Sequence, residues 1–369
     1  MRRAGVRAQR FMPLWLRRDG HGPVTPTDGY LFTRQLAVLQ RAGVPLLSSL
    51  SALQRQLSSP SLRRVLRGVH QDLLEGKTLS QALARYPRIF NPVYIGLIRV
   101  GEASGLLESV LQQLARLIEW EIELRRRLME ALLYPAIVIF FLSVAMVIMV
   151  TFVIPRFAEM FRSFRLQLPW PTRLLILVSD LGTRYGWVLL LGLVALVVGL
   201  RSYGRTDAGR LRWHTQQLRL PIFGPLLLEV AMARFARVTA ALNRSGVPML
   251  ETLTLAGESV NNVYVEQRVQ AVADRIRGGS SLASAVGTEP VFPAIVTQMI
   301  ATGEETGQVD ELLQHVAEYY DQQVSSTLKQ LLTYLEPVLI VVVGLGVLGL
   351  AVAVYLPMWD MVRLFKQPH

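Results

Sequence analysis

The sequence contains no cysteine, and this absence excludes several kinds of chemistry at once. Disulfide bonds, zinc–thiolate sites, iron–sulfur clusters and cysteine nucleophiles all require thiol groups. Histidine is also scarce, and no two histidines stand at the short spacing typical of a metal site. The five histidines are His21, His70, His214, His315 and His369. We therefore expect neither redox chemistry nor a histidine-based metal centre.

Two common enzyme motifs are missing as well. The nucleophile elbow G-x-S-x-G does not occur anywhere in the chain. The tripeptide Gly76–Lys77–Thr78 resembles the end of a phosphate-binding loop, but that motif needs a glycine at position 71, where the chain has Gln71. These absences remove two common kinds of active site, and we expect no catalytic residue and no cofactor.

The chain has fewer acidic residues (27) than lysine and arginine residues (39), which gives a formal net charge of +12. A basic balance is typical of nucleic-acid-binding proteins and of membrane proteins with positive flanks around their spans. Here the arginines border long apolar runs and do not form one patch interleaved with aromatic residues. This distribution favours a membrane protein, and we expect no nucleic-acid partner.

Three apolar runs predict three transmembrane helices, at residues 131–155, 185–200 and 334–357. The first and third are each long enough for a span of about 20 residues. The middle run is shorter and follows an amphipathic segment, so it could instead form a buried helical hairpin that does not cross.

The positions of the arginines predict the orientation of the spans. Arg125, Arg126 and Arg127 directly precede the first run, and further arginines follow the second. Because positive flanks stay in the cytoplasm, both of these flanks are predicted to be cytoplasmic. The chain is therefore predicted to have eight segments. The first half comprises a basic arm (1–29), a cytoplasmic helical domain (30–130) and a span (131–155), followed by a periplasmic connection (156–184) and a second span (185–200). The second half comprises a second cytoplasmic helical domain (201–333), a span (334–357) and a periplasmic tail (358–369).

The basic arm does not read as a secretory signal. Its apolar patch, FMPLWL, is shorter than the roughly 7–15 residues that a signal peptide requires. We interpret it as a flexible arm, with ordering on a partner or on anionic lipid as the alternative.

The chain contains an internal repeat in which four motifs occur twice in the same order. R-x-G-V-P ends at Pro45 and again at Pro248, and G-x-x-L-x-x-A begins at Gly76 and again at Gly279. The turn G-E-x-[ST]-G follows in each copy, and a proline then opens an apolar run. Such a repeat indicates architecture and takes precedence over any single motif.

Glycine and proline in these motifs predict helix–turn–helix corners. Glycine frees the backbone at a helix end, and proline is tolerated in the first turn of the next helix. The predicted structural positions are Gly43, Pro45, Gly101, Gly105, Pro135 and their counterparts Gly246, Pro248, Gly303, Gly307, Pro337. The helix after each G-E corner is predicted to enter the following apolar run without a break.

Carboxylates gather at the G-E corners, and their role is open between three interpretations. They could cap helices and face solvent, bind the arginines of a partner, or hold a cation such as calcium, which prefers six to eight oxygen ligands. The candidate partner-binding residues are Glu102, Glu108, Glu304, Glu305, Asp310 and Glu336, and the candidate cation ligands are Glu102, Glu108, Glu304 and Asp310. Glu336 stands at the start of the third run, where it could be functional or could extend to the membrane surface.

Taken together, the duplicated motifs resemble those of a known family, over about Tyr30 to Phe365. The family contains the inner-membrane F protein of type II secretion systems and the assembly-platform proteins of type IV pili. The resemblance implies an all-α, polytopic protein of the bacterial inner membrane, with two repeated cytoplasmic bundles of six helices each and three transmembrane helices. It also implies a platform without catalysis that couples a cytoplasmic assembly ATPase to the insertion of pilin or pseudopilin subunits.

The resemblance further implies other inner-membrane platform proteins as partners and self-association into a homo-oligomer within the lipid bilayer. A membrane permease or transporter subunit is the alternative, because repeats joined by spans also occur there. Against it, three spans are few, no span is broken in mid-membrane, and no buried charge lines a path.

Overall fold

The computed structural model describes residues 24–153, 206–221 and 223–365, together with positions 156, 191, 192 and 199. Within these ranges every regular element is a helix, in agreement with the all-α prediction. The helices group into two units. The first unit contains the residues up to Arg125 and those from Glu229 to Asp321, and the second contains Arg126–Leu228 and the residues from Gln322 onward.

The first repeat is a series of short helices followed by one long helix. These are α1 (Pro26–Arg41), α2 (Leu46–Gln56), α3 (Pro60–Leu74), α4 (Leu79–Ala84), α5 (Pro92–Ser104) and α6 (Leu107–Ile148). Helix α1 begins inside the predicted arm, whose boundary at residue 29 was placed too late. The helix starts at Pro26 because Thr25 and Asp28 form a capping box, in which each side chain accepts a hydrogen bond from the other residue's backbone N–H, and because proline is favoured in the first turn.

The second repeat follows the same order. After α7 (Asp207–Arg219) come α8 (Phe223–Arg244), α9 (Met249–Ser259), α10 (Val263–Arg277), α11 (Leu282–Gly287), α12 (Ala294–Thr306) and α13 (Val309–Phe365). Helix α8 has 22 residues whereas α1 has 16, because the apolar lead-in to the second repeat continues the helix at its N-terminal end.

The core of the first unit is formed by equivalent residues in the two repeats. Phe32 on α1 packs on Phe90 with ring centroids 6.1 Å apart, and Phe235 on α8 packs on Phe292 at 5.2 Å. Most of the other buried side chains of the core are leucine, valine and alanine. Burial of each large apolar side chain contributes about 1.5–3 kcal/mol, so this core positions the corners described below.

The second unit is dominated by the apolar parts of α6 and α13. Among the described residues these two helices are long and apolar enough to cross a membrane, with mean hydropathies of 2.6 and 2.2. Their large apolar side chains point outward, as Phe141 (66% exposed) and Ile340 (65% exposed) illustrate. An exposed apolar surface along a whole helix is typical of a helix that crosses a membrane.

Both long helices are unbroken, which confirms the prediction that each G-E corner leads into an apolar run by continuous helix. Pro135 lies inside α6, and Pro337 lies inside α13. Helix α6 is followed by a π-helical turn, Met149–Val153, and α13 continues into the segment that was predicted as a tail from residue 358.

The predicted connection (156–184) and middle span (185–200) lie outside the described residues, apart from positions 156, 191, 192 and 199. The first 23 residues of the predicted arm and the last four residues of the predicted tail also lie outside them.

Candidate functional site

The glutamate of the first G-E corner binds the start of a neighbouring helix. Glu102, in the last turn of α5, accepts hydrogen bonds from the backbone N–H groups of Leu79 and Ser80, the latter at 3.0 Å. These residues open α4, where backbone N–H groups have no partner inside the helix and carry partial positive charge. Glu102 therefore joins the G-E motif to the G-x-x-L motif.

The second repeat contains the same arrangement. Glu304 accepts from the N–H groups of Leu282 at 2.6 Å and Ala283 at 2.7 Å, the first two residues of α11. Two motifs that are more than twenty residues apart in sequence thus meet through one carboxylate, in both copies. This geometry supports helix capping, among the three interpretations, for Glu102 and Glu304.

The other predicted acids of the corners pair with the arginine of R-x-G-V-P. Glu108 lies 3.7 Å from Arg41 at the end of α1, and Asp310 lies 3.1 Å from the corresponding Arg244 at the end of α8. All four side chains are partly exposed, so each ion pair contributes at most about 1 kcal/mol. The pairs lie where these helix ends meet at each corner, and Glu305 is left on the surface.

The glycines of the corners have two different roles. Gly105 and Gly307 end α5 and α12 with φ of +74°, a left-handed conformation that glycine adopts without strain. Gly303 instead allows close approach, because a Cβ there would lie 2.9 Å from the main chain of the next helix at Val309. A Cβ at Gly101 would lie 3.0 Å from the side chain of Val110.

The R-x-G-V-P corners have left-handed glycines too, with φ of +72° at Gly43 and +82° at Gly246. Pro45 and Pro248 stand at the capping position just before α2 and α9, one residue earlier than the predicted position inside the helix.

The cation hypothesis finds no support in this geometry. In the part of the chain that the structure describes, no three His, Asp or Glu side chains come together as a metal site requires. The proposed ligands of each repeat accept from helix N–H groups or pair with arginine instead.

Glu336 lies at a cavity of about 320 Å³ in the second unit, between α6 and α13. Glu130, Tyr134 and Pro135 line it from α6, and Glu336 lines it from α13 together with Thr333. Two carboxylates therefore stand where the apolar part of each helix begins. Further along, Gly346 allows Leu142 to approach, with 3.2 Å between a Cβ at that glycine and the leucine side chain.

A contact between the repeats, absent from the sequence-based predictions, is built around Trp120 of α6. Its indole N–H donates to Asp321 at 2.8 Å, and the guanidinium of Arg237 lies 4.9 Å from the ring centroid. Asp321 also accepts from Arg237. Cation–π contact and a charge-assisted hydrogen bond thus join α6, α8 and α13 within the first unit.

Further polar contacts extend this interface. Arg234 pairs with Glu121 at 3.1 Å, and the hydroxyl of Ser245 donates to Gln113 at 2.7 Å. On the neighbouring helices, Arg99 of α5 pairs with Glu251 of α9. In the sequence, this contact is indicated only by Trp120, a large aromatic residue between Glu119 and Glu121.

Asp72 is a second residue that the sequence analysis missed. Its buried carboxylate accepts from Lys77 at 2.7 Å and from Arg85 at 2.5 and 2.6 Å. The hydrogen bond from Lys77, followed by that from Arg85, lowers the pKa of Asp72 below its ordinary value. Lys77, which belongs to the tripeptide that resembles the end of a phosphate-binding loop, is therefore paired with Asp72.

The model of one protein family matches the chain twice, at residues 32–155 and 235–357. The description of that family is type II secretion system (T2SS), protein F. The two matches begin at Phe32 and Phe235, which are the equivalent core residues described above, and they confirm the internal repeat.

Individual relatives cover nearly the whole chain. The type IV pilus assembly protein PilC of Myxococcus xanthus is 34% identical over 93% of this chain and 82% of its own length. The type 4 fimbrial assembly protein PilC of Pseudomonas putida is 37% identical over 97% and 91%, respectively. The type II secretion system protein F of Vibrio cholerae is 32% identical over 93% and 85%. By its duplicated motifs, its fold and these relatives, the chain belongs to the type II secretion system protein F family, which includes the PilC proteins of type IV pilus assembly.

Proposed function

We propose that the chain is a non-enzymatic assembly platform of the bacterial inner membrane, in a type II secretion or type IV pilus machine. It would cross the membrane three times and hold two six-helix domains in the cytoplasm. The observation that carries this proposal is the continuity of α6 and α13, each running from a corner of the first unit into an apolar stretch. Family membership favours this function over a permease.

The platform would act by mechanical coupling. A cytoplasmic assembly ATPase would dock on the helical domains, and pilin or pseudopilin subunits would gather around the spans. A helix transmits displacement along its axis because all of its backbone hydrogen bonds lie within it. Movement imposed on the domains would therefore reach the bilayer through α6 and α13 and lift a subunit into the filament.

The contact between the repeats would make the two domains respond together. Trp120, Arg237 and Asp321 join the base of both long helices through one set of contacts. A force on either domain would then be shared by both helices. Self-association and contact with other inner-membrane platform proteins would extend this coupling around a growing filament.

Interruption of α6 tests the proposal. Four glycines inserted after Arg126 break α6 before its apolar part, and four glycines inserted after Ser58, in the loop between α2 and α3, are the matched control. Both variants are expressed in the native host in place of the wild-type gene, and filament assembly or secretion is measured together with membrane retention.

We expect the α6 insertion to abolish assembly while the protein remains in the membrane, and we expect the loop insertion to preserve assembly. Normal assembly with the α6 insertion would contradict mechanical coupling through this helix.

A further inference from the structure

A groove in the first repeat lies between α1 and α6 and has a volume of about 290 Å³. The residues that define it are Tyr30, Arg34, Val38, Arg41, Arg116 and Glu119. Val38 lines the groove and is 61% exposed, so the groove combines accessible apolar surface with charged side chains.

The equivalent groove in the second repeat, between α8 and α13, is filled. Arg34 corresponds to Arg237 and Glu119 corresponds to Asp321 in the alignment of the repeats. In the second repeat these two residues bind Trp120, the arginine through its guanidinium face and the aspartate through the indole N–H. The adjacent Glu121 then pairs with Arg234. An aromatic residue followed by a carboxylate, both on a helix, thus fits this kind of groove.

The first-repeat groove differs from its counterpart in charge. Arg116 stands where the second repeat has Glu318, whereas Leu31 stands in place of Arg234. Arg34, Arg41 and Arg116 line the groove together with Glu119, and Arg41 also pairs with Glu108. Tyr30 replaces Ala233, and its ring lies 5.9 Å from Arg34, which donates to its hydroxyl at 3.3 Å. This groove therefore keeps the arginine and acid that hold an indole and adds positive charge that attracts carboxylates.

We propose that this groove is a docking site for a helix of a partner protein that presents an aromatic residue followed by a carboxylate. The proposal goes beyond the platform function, since it assigns a surface and the chemistry of its partner. A helix from a second copy of the chain would fit this groove poorly if it bound as Trp120 binds in the second repeat. Its α13 has Gln322 and Gln323 at the positions of Trp120 and Glu121, and its own α6 is used internally.

The test uses a peptide whose fit is known from the second repeat. The probe is the segment 111–126 of this chain, held helical by a hydrocarbon staple on its outer face and labelled with a fluorophore. Binding to the detergent-solubilised full chain is measured by fluorescence anisotropy. The variant Arg34→Glu alters the groove, and Arg63→Glu, an exposed residue of α3 with the same change in charge, is the control.

We expect saturable binding of one peptide per chain, about tenfold or more weaker with Arg34→Glu and unchanged with Arg63→Glu. A peptide carrying Trp120→Ala should lose a similar amount. The proposal is overturned by an absence of saturable binding or by equal binding to the two arginine variants. It is also overturned if Arg237→Glu, and not Arg34→Glu, removes binding, because the peptide would then be exchanging into the second-repeat groove.

Discussion

Replacement of Glu304 by alanine should weaken the second repeat at one defined helix end. Glu304 accepts two hydrogen bonds from the start of α11, and alanine leaves both N–H groups without a protein partner. A hydrogen bond to a charged group contributes about 1.5–3 kcal/mol, and here solvent access to the carboxylate reduces that value. We therefore expect a loss of about 1.5 kcal/mol for the pair, which corresponds to about a tenfold change in a local opening equilibrium.

Hydrogen exchange followed by mass spectrometry measures this effect in the full chain. A peptide covering α11 should exchange about tenfold faster in Glu304→Ala than in the wild type, since local opening becomes easier by that factor. Glu304→Gln keeps one acceptor oxygen and should give an intermediate rate.

Glu305→Ala is the matched control for this measurement. Glu305 is the adjacent residue, is exposed, and also stands in the last turn of α12, where a negative charge is unfavourable to the helix dipole. Its removal should leave α11 unchanged or slightly more protected. Equal exchange of α11 in the two alanine variants would refute the capping role of Glu304.

Three further predictions concern other contacts of the first unit. Trp120→Phe keeps an aromatic ring beside Arg237 but removes the N–H donor to Asp321, so it should lower the free energy of unfolding by about 1 kcal/mol in chemical denaturation. Gly303→Ala places a methyl group 2.9 Å from the next helix and should cost about 1–3 kcal/mol in the same assay; an unchanged midpoint would argue against this close approach. The lowered pKa of Asp72 means that its stabilising effect is complete above its ordinary value of 3.8 and is lost as the pH falls through the lower, folded-state pKa. Stability should therefore fall with acid below about pH 4 in the wild type, and Asp72→Asn should remove part of that fall while being less stable than wild type at pH 7.

Local signals made much of the fold predictable. Glycine and proline marked the corners at Gly43 and Gly246, and hydropathy marked the long helices, because both depend on residues close together in sequence. The start of α1 was placed too late, although Thr25 and Asp28 form a capping box that the sequence contains.

The contacts that join distant segments were beyond sequence analysis. Trp120 and Asp321 are separated by two hundred residues, and nothing in either local pattern indicates the other. The carboxylate of Glu102 could equally have faced solvent, a cation or a partner, since only the packing of α5 on α4 brings it to the N–H groups of Leu79 and Ser80. The sequence shows that carboxylates stand at each corner, whereas the groups that bind them are set by the tertiary fold.

A spin-label scan through α6 tests the central claim most directly. Because the chain has no cysteine, single cysteines can be placed at each position from 122 to 138 without altering the background, and the labelled full chain can be studied in lipid nanodiscs. We expect low label mobility throughout and an accessibility that repeats every 3.6 residues or so, without interruption from the arginines into the apolar run. A stretch of highly mobile labels with no helical period between Leu124 and Pro135 would contradict continuous coupling between domain and membrane.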